Sequence, residues 1–184
     1  MRKVLVLVVS AVCGLGLAQH ASAADVSRYT SVNDRKACRY TEVKASQDGP
    51  DSCEFRCDGP VAGVKTKLLS CYDYEHLFVQ LDGKSYSTWG AMTSVGGFSG
   101  LANKNGVVEW VFDAGAPPSR ASLLGLIVRF QGVVSETGKS RNALAVFSLR
   151  PGRICWKGNY PANEAARAAL DGAACQSPLP EEQP

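Results

Sequence analysis

Few residues in this chain are placed to do chemistry. Glu109 is the one carboxylate set inside an apolar run, Asn-Gly-Val-Val-Glu-Trp-Val-Phe from Asn105 to Phe112. Asn105-Gly106 reads as a hairpin turn, because both residues tolerate positive φ, and the six residues after it read as a strand. Side chains alternate along a strand, so Val108, Trp110 and Phe112 share one face while Val107, Glu109 and Val111 share the other. A carboxylate among such neighbours could act as a general acid, with Asp113 on the same face as the second member of a hydrolytic pair. The competing reading is a half-exposed Glu109 paired to Arg129 on a neighbouring strand, and cross-strand ion pairs of that kind are common, so it is the one preferred.

Other catalytic patterns are weaker. His76 is the one histidine outside the first 23 residues, and a Ser-His-Asp site would have to use it with Asp73 or Asp82. Alone on a turn, it reads as ordinary surface. The G-x-S-x-G nucleophile elbow is missing, since the second glycine of Gly97-Phe98-Ser99-Gly100 comes one place early. No S-x-x-K occurs. Gly138-Lys139-Ser140 imitates the end of a phosphate loop, but Val133 stands where its first glycine belongs. No cofactor is expected.

The elements that must position these residues begin after an export signal. Arg2 and Lys3 precede an apolar run from Val4 to Leu17, and Ala21-Ser22-Ala23 is an A-x-A cleavage site. Residues 1–23 are therefore expected to be removed, with Cys13 discarded among them, leaving a periplasmic or secreted protein. No later run approaches the ~20 apolar residues of a membrane span. Of the formal net charge of +3, Arg2 and Lys3 carry two. A near-neutral remainder gives no reason to expect nucleic acid or an acidic membrane as partner.

Six cysteines remain: Cys38, Cys53, Cys57, Cys71, Cys155 and Cys175. An even number in an oxidising compartment reads as three disulfides, and the paired C-x-x-C spacings of a zinc site are absent, so no metal is expected. Spacing does not choose among the fifteen possible pairings. It does remove Cys53 with Cys57, which on one strand lie about 13 Å apart, beyond the ~7 Å reach of a bridge. The working assignment is Cys38 with Cys57, Cys53 with Cys71, and Cys155 with Cys175.

Candidate strands are Cys38 to Val43, Cys53 to Cys57, Val64 to Leu69, Leu77 to Leu81, Leu123 to Phe130, Ala143 to Leu149 and Ile154 to Trp156, separated by turn residues. On Leu123 to Phe130, Leu124, Leu126 and Val128 fall on one face and Arg129 on the other. Asp82 to Lys104 is rich in Gly, Ser and Thr and reads as a long connection carrying Trp89, Met92 and Phe98, a candidate binding loop. One helix is expected, with Ala162, Ala165, Ala166, Ala169 and Leu170 as its apolar stripe and Gly172 just past its end. The whole predicts a mainly β chain: a single antiparallel β sandwich or barrel over 24–176 with one C-terminal helix, and a disordered proline-rich tail over 177–184.

Tyr29-Thr30, Cys38, Glu54-x-x-Cys57-x-Gly59, Val108-Glu109-Trp110, Val128-Arg129-Phe130, Ile154-Cys155 and Asn163-Glu164-Ala165-Ala166-Arg167 leading to Cys175 resemble a family of small exported proteins of alphaproteobacteria with no established activity. The resemblance spans most of the chain after residue 23. It implies a periplasmic address, and two of that family's cysteine pairs correspond to Cys38 with Cys57 and Cys155 with Cys175, leaving Cys53 and Cys71 as an added pair.

Together these features favour a non-enzymatic periplasmic binding module, inhibitor-like in manner, acting on a protein or envelope component through Trp89, Met92, Phe98 and Arg129. The alternatives are an envelope hydrolase using Glu109 and Asp113, and a structural or stress-tolerance protein with no small-molecule site.

Overall fold

Alternating apolar and polar residues build two antiparallel sheets that face each other. The computed structural model describes residues 26–43, 52–70, 75–93, 98–134 and 137–182. In chain order the elements are β1 (Val26–Ser31), β2 (Cys38–Val43), β3 (Ser52–Asp58), β4 (Val64–Ser70), β5 (His76–Leu81), β6 (Lys84–Ser87), α1 (Trp89–Thr93), β7 (Phe98–Phe112), β8 (Leu123–Val134), β9 (Ser140–Arg150), β10 (Arg153–Tyr160), α2 (Asn163–Gly172), β11 (Ser177–Pro178) and β12 (Glu181–Glu182). The first sheet has the order β1-β7-β8-β9-β10-β11 and the second β12-β6-β5-β4-β3-β2. The expected mainly β architecture is what forms, as a sandwich.

The inward faces follow from the alternation. Val108, Trp110 and Phe112 of β7, Leu126, Val128 and Phe130 of β8, and Ala145 and Phe147 of β9 meet Phe55, Leu68, Leu77, Val79 and Leu81 of the second sheet in one core. The outward face of the first sheet is covered in part by α2. There Ala166, Ala169 and Leu170 pack on Val111, Ile127, Leu144 and Val146. Ala166, Ala169 and Leu170 of the expected stripe are the buried ones, whereas Ala162 is the N-cap before the helix and Ala165 lies at the edge of the stripe, and both are exposed. Gly125 is what lets the helix approach, since a Cβ there would collide with the Leu170 side chain and the Phe147 carbonyl. At the other end of α2, the buried ammonium of Lys157 donates to the Ala173 carbonyl. It places a cation at the negative end of the helix, and burial, then the charges of Arg153 and Arg150, holds its pKa below the ordinary lysine value.

Several expectations change. Asn105-Gly106 is no hairpin turn. The chain runs straight through it as one long strand, β7, and the pairing with β8 jumps from Asn103–Phe130 to Val108–Val128, so the two residues sit in a bulge. Gly106 keeps the positive φ that the sequence called for, at 61°. The segment Asp82 to Lys104 is not one long connection either, for it contains β6, α1 and the start of β7. Leu124 parts from Leu126 and Val128, because a second irregularity where Val111 meets Gly125 and Phe112 meets Leu123 turns it toward the α2 cluster.

The C-terminal segment, expected to be disordered, closes one side of the sandwich. β11 pairs with β10 and β12 pairs with β6, so residues 177–182 cross from one sheet to the other, with Leu179 buried in the core between them. Three backbone bonds hold the crossing: Gln176 N–H to Trp156, Leu179 N–H to Ile154 and Ser87 N–H to Pro180. Polarity and prolines hid this, since such residues are also what edge strands use.

Cys38 and Cys57 face each other directly across β2 and β3, with Cα atoms 4.4 Å apart, and form a disulfide. Cys155 and Cys175 form another across 5.8 Å. Cys53 is also disulfide-bonded, and Cys71, its expected partner, lies outside the described residues. The Cys155–Cys175 bridge closes a 20-residue separation around α2, worth about 3 kcal/mol by loop-closure entropy. Replacing both cysteines by serine should lower the unfolding free energy by about that amount and speed hydrogen exchange in α2. Unchanged stability and exchange would show that the apolar contacts of the helix hold it without the bridge.

Candidate functional site

The outward face of the first sheet, beside α2, gathers the residues with the most chemistry. β1 pairs with β7 so that Tyr29 lies opposite Glu109 and Ser31 opposite Val107. β8 places Ile127 opposite Glu109 and carries Arg129 to the same face. α2 then presents Asn163 at its first turn and Arg167 one turn on. Tyr29, Val107, Glu109, Ile127, Arg129, Leu144 and Asn163 line a shallow cavity of about 140 Å³.

Glu109 is 8% exposed and is the one acidic side chain in the buried class among the described residues. Its Oε1 accepts from the Ser27 hydroxyl at 2.5 Å and from Arg167 Nε at 2.8 Å, and Arg167 Nη2 approaches it at 2.7 Å. Arg167 Nη2 also donates to the Tyr29 hydroxyl at 3.1 Å. The bond to Glu109 raises the pKa of the guanidinium above its ordinary value, as a hydrogen bond to the charged form should.

The expected partner of Glu109, Arg129, is therefore a misassignment. Arg129 Nη2 donates to Asn163 Oδ1 at 2.9 Å, and among the described residues no carboxylate pairs with it. Glu109 is also buried rather than half-exposed. Sequence spacing favours a strand neighbour because its register is regular. The pair that forms spans 58 positions and depends on where the helix lands. The available signal was that Arg167 adjoins the buried Ala166 on the helix, and that Val107 shares the Glu109 face.

Asp113 does not join Glu109 in a site. It lies past the end of β7, exposed, and its Oδ1 accepts from Gly115 N–H in a tight turn. Four residues along a strand span about 13 Å, against the roughly 5–9.5 Å that paired hydrolytic carboxylates use.

His76, expected as ordinary surface, is half-buried on the second sheet. Its Nε2 lies 2.8 Å from Ser87 Oγ, and its ring stacks 4.0 Å from Phe78 and 5.4 Å from Trp89, centroid to centroid. Burial, and then the charge of Lys67, lowers its pKa to about 4. A His–Ser contact is the core of a nucleophilic site, but Ser87 is 7% exposed and its Oγ also accepts from Trp89 N–H at the start of α1. The pair reads as the seat of α1.

Of the expected binding residues, Trp89 thus packs on the second sheet and Arg129 lies on the outward face of the first, so they do not form one surface. Met92 lies in α1 and Phe98 opens β7, and both side chains lie outside the described ones. Among the described residues no group of three or more His, Cys, Asp or Glu could hold a metal ion, and no helix is long and apolar enough to cross a membrane. No family model, curated protein or solved structure matches the chain.

Two predictions follow the charges. Arg167→Met leaves Glu109 buried beside Ser27 alone and should cost roughly 1–3 kcal/mol in urea unfolding, since the guanidinium is partly exposed, whereas Glu109→Leu with Arg167→Leu should be close to neutral. Equal losses in both variants would mean that the pair is not the source. For His76, the folded pKa of about 4 lies below the unfolded value of ~6.5. Its contribution is intact above pH 6.5 and is lost as pH falls toward 4, by up to about 3 kcal/mol and less for the solvent-facing part of the ring. His76→Phe should flatten that part of the stability profile, and an unaltered profile would assign the slope to other groups.

Proposed function

We propose that this protein is an exported, non-enzymatic binding module, and that it recognises a partner protein through the cavity beside α2. One observation carries the reading. Tyr29, 59% exposed, and Val107, 38% exposed, are the large hydrophobic side chains left in solvent among the described residues, and both line that cavity. Scattered exposed apolar residues need no explanation, but two converging on one hollow beside charged groups are what a recognition surface offers.

The partner chemistry follows from the lining. Tyr29 and Val107 give an apolar contact, and Arg129 supplies a guanidinium without a carboxylate partner among the described residues. A partner segment carrying an apolar side chain next to a carboxylate would satisfy both. β1 is the end strand of its sheet, and its other edge is unpaired among the described residues, so an extended segment could also gain backbone hydrogen bonds there. The disulfides and the expected signal over residues 1–23 fit an oxidising compartment, which favours a periplasmic address and agrees with the resemblance to exported proteins.

Glu109 supports this reading better than a hydrolytic one. Its Oε1 already accepts from Ser27 and Arg167, and Asp113 is elsewhere, so the carboxylate holds Arg167 and Tyr29 in place.

A photoreactive residue substituted at Tyr29 should crosslink one dominant envelope protein in cells, and Arg129→Glu introduced into the same chain should abolish that product. The purified partner should bind the parent chain and lose about tenfold or more in affinity toward Val107→Asp. The same products from a probe at the exposed Lys139, or products insensitive to Arg129→Glu, would overturn the proposal.

A further inference from the structure

The outward face of the second sheet carries a row of cations that its own acids balance only in part. Arg39 on β2 lies directly opposite Arg56 on β3, and Arg56 directly opposite Lys67 on β4. Neighbouring strands are about 4.8 Å apart, and like charges set directly opposite each other destabilise a sheet. Glu54 pairs with Arg56, and in the adjoining row Asp58 pairs with Lys65. Among the described residues Arg39 has no carboxylate partner, and Lys67 lies over the Phe78 ring at 3.9 Å instead of against an acid. Real proteins break such local rules at functional sites, and a ligand of opposite charge would restore the balance here.

The row borders a cleft. Two hollows of about 570 and 580 Å³ adjoin on this face and share Arg56, Gln80 and Gly83 in their walls. The first is walled by Arg39 and Lys65 and the second by Lys67 and Ser85. A single small anion would fill only part of such a cleft. Its polar groups also alternate: cations are interleaved with the neutral hydrogen-bonding side chains Gln80 and Ser85, while Asp58, Glu181 and Glu182 stand along the edge. Asp58 and Glu181 are paired with Lys65 and Lys84, and Glu182 adds a further carboxylate, so the rim does not favour a uniformly charged phosphate chain, while its carboxylate oxygens can accept hydrogen bonds from hydroxyl groups.

We infer that this cleft binds an acidic oligosaccharide, with sugar carboxylates against Arg39, Arg56 and Lys67 and sugar hydroxyls against Gln80 and the rim acids. The site is on the opposite side of the sandwich from the Tyr29 cavity and is independent of it.

Calorimetric titration of the whole chain with oligogalacturonate, neutral dextran and sodium sulfate tests the assignment. Oligogalacturonate should bind, more weakly as salt rises, and dextran should not. Arg39→Gln with Lys67→Gln should weaken binding about tenfold or more, the loss expected for two charge-assisted hydrogen bonds. Arg39→Gln alone should melt at the same or a higher temperature than the parent, because it removes a repulsion, so weakened binding is distinguishable from misfolding. Arg129→Glu, on the other face, should leave sugar binding unchanged even if the partner-binding proposal fails. Absence of oligogalacturonate binding, full affinity in the double variant, or saturation by sulfate as tight as by the oligomer would each overturn the assignment.

Discussion

The structure depends on burying Trp110 with its indole N–H satisfied. Trp110 is fully enclosed at the centre of the sandwich, and a buried donor without a partner would cost about 1–3 kcal/mol. The partner is Thr30 Oγ1, at 2.7 Å, on β1. That bond helps to fix the register of β1, an end strand too polar to be held by packing alone. A slip of one residue would turn Thr30 outward and Tyr29 inward. With the register set, Tyr29 and Ser27 face outward beside Glu109, and the wall of the cavity exists. The site on the surface therefore depends on a hydrogen bond in the core, together with the β1–β7 ladder and the packing of Val26 and Val32.

The opposite wall depends on how α2 lands. Three unrelated contacts agree on its position: Leu170 in the space left by Gly125, Lys157 at the C-terminal carbonyl of Ala173, and the Cys155–Cys175 bridge. Arg150 adds an ion pair to Asp171 at 2.6 Å. A helix of ten residues would be marginal by itself in water. Held this way, it carries Asn163 to Arg129 and Arg167 to Glu109. The Glu109–Arg167 pair then ties the helix to β7, and the bond from Arg167 to Tyr29 ties it to the end strand β1 as well.

What was legible in the sequence follows the same division. Val108, Trp110 and Phe112 announced an inward face by alternation alone, and the helix stripe, though shifted, lay close to its true place, because both signals are local and apolar. The Cys155 to Cys175 bracket around the helix was legible too. β1, β6, β11 and β12 were not, since Val-Ser-Arg-Tyr-Thr-Ser, Lys-Ser-Tyr-Ser, Ser-Pro and Glu-Glu have no apolar alternation to show. Their pairing is decided by neighbours, and end strands are polar in order to avoid pairing with other chains. Gly106 was read correctly as a place of positive φ, and Asn105-Gly106 wrongly as a chain reversal, because the same dihedral serves a bulge. Glu109 was singled out as the one candidate for a buried acid, but the half-exposed reading was preferred, and its true partner lay on an element whose docking angle no spacing rule contains.

The two outward faces use charge in opposite ways. On the first sheet, charges are paired between elements: Glu109 with Arg167, Arg150 with Asp171. Such pairs hold a helix to a sheet, and they leave Arg129, bonded to Asn163, as the guanidinium of that face without a carboxylate among the described residues. On the second sheet, ion pairs lie within or between neighbouring strands, and Arg39, Arg56 and Lys67 are left in line. Holding cations in line opposes folding unless something negative meets them, and Glu54 meets only one. Paired charge in this molecule therefore builds the scaffold of the first face around a single unpaired guanidinium, Arg129, while on the second face the unbalanced cations stand in a row.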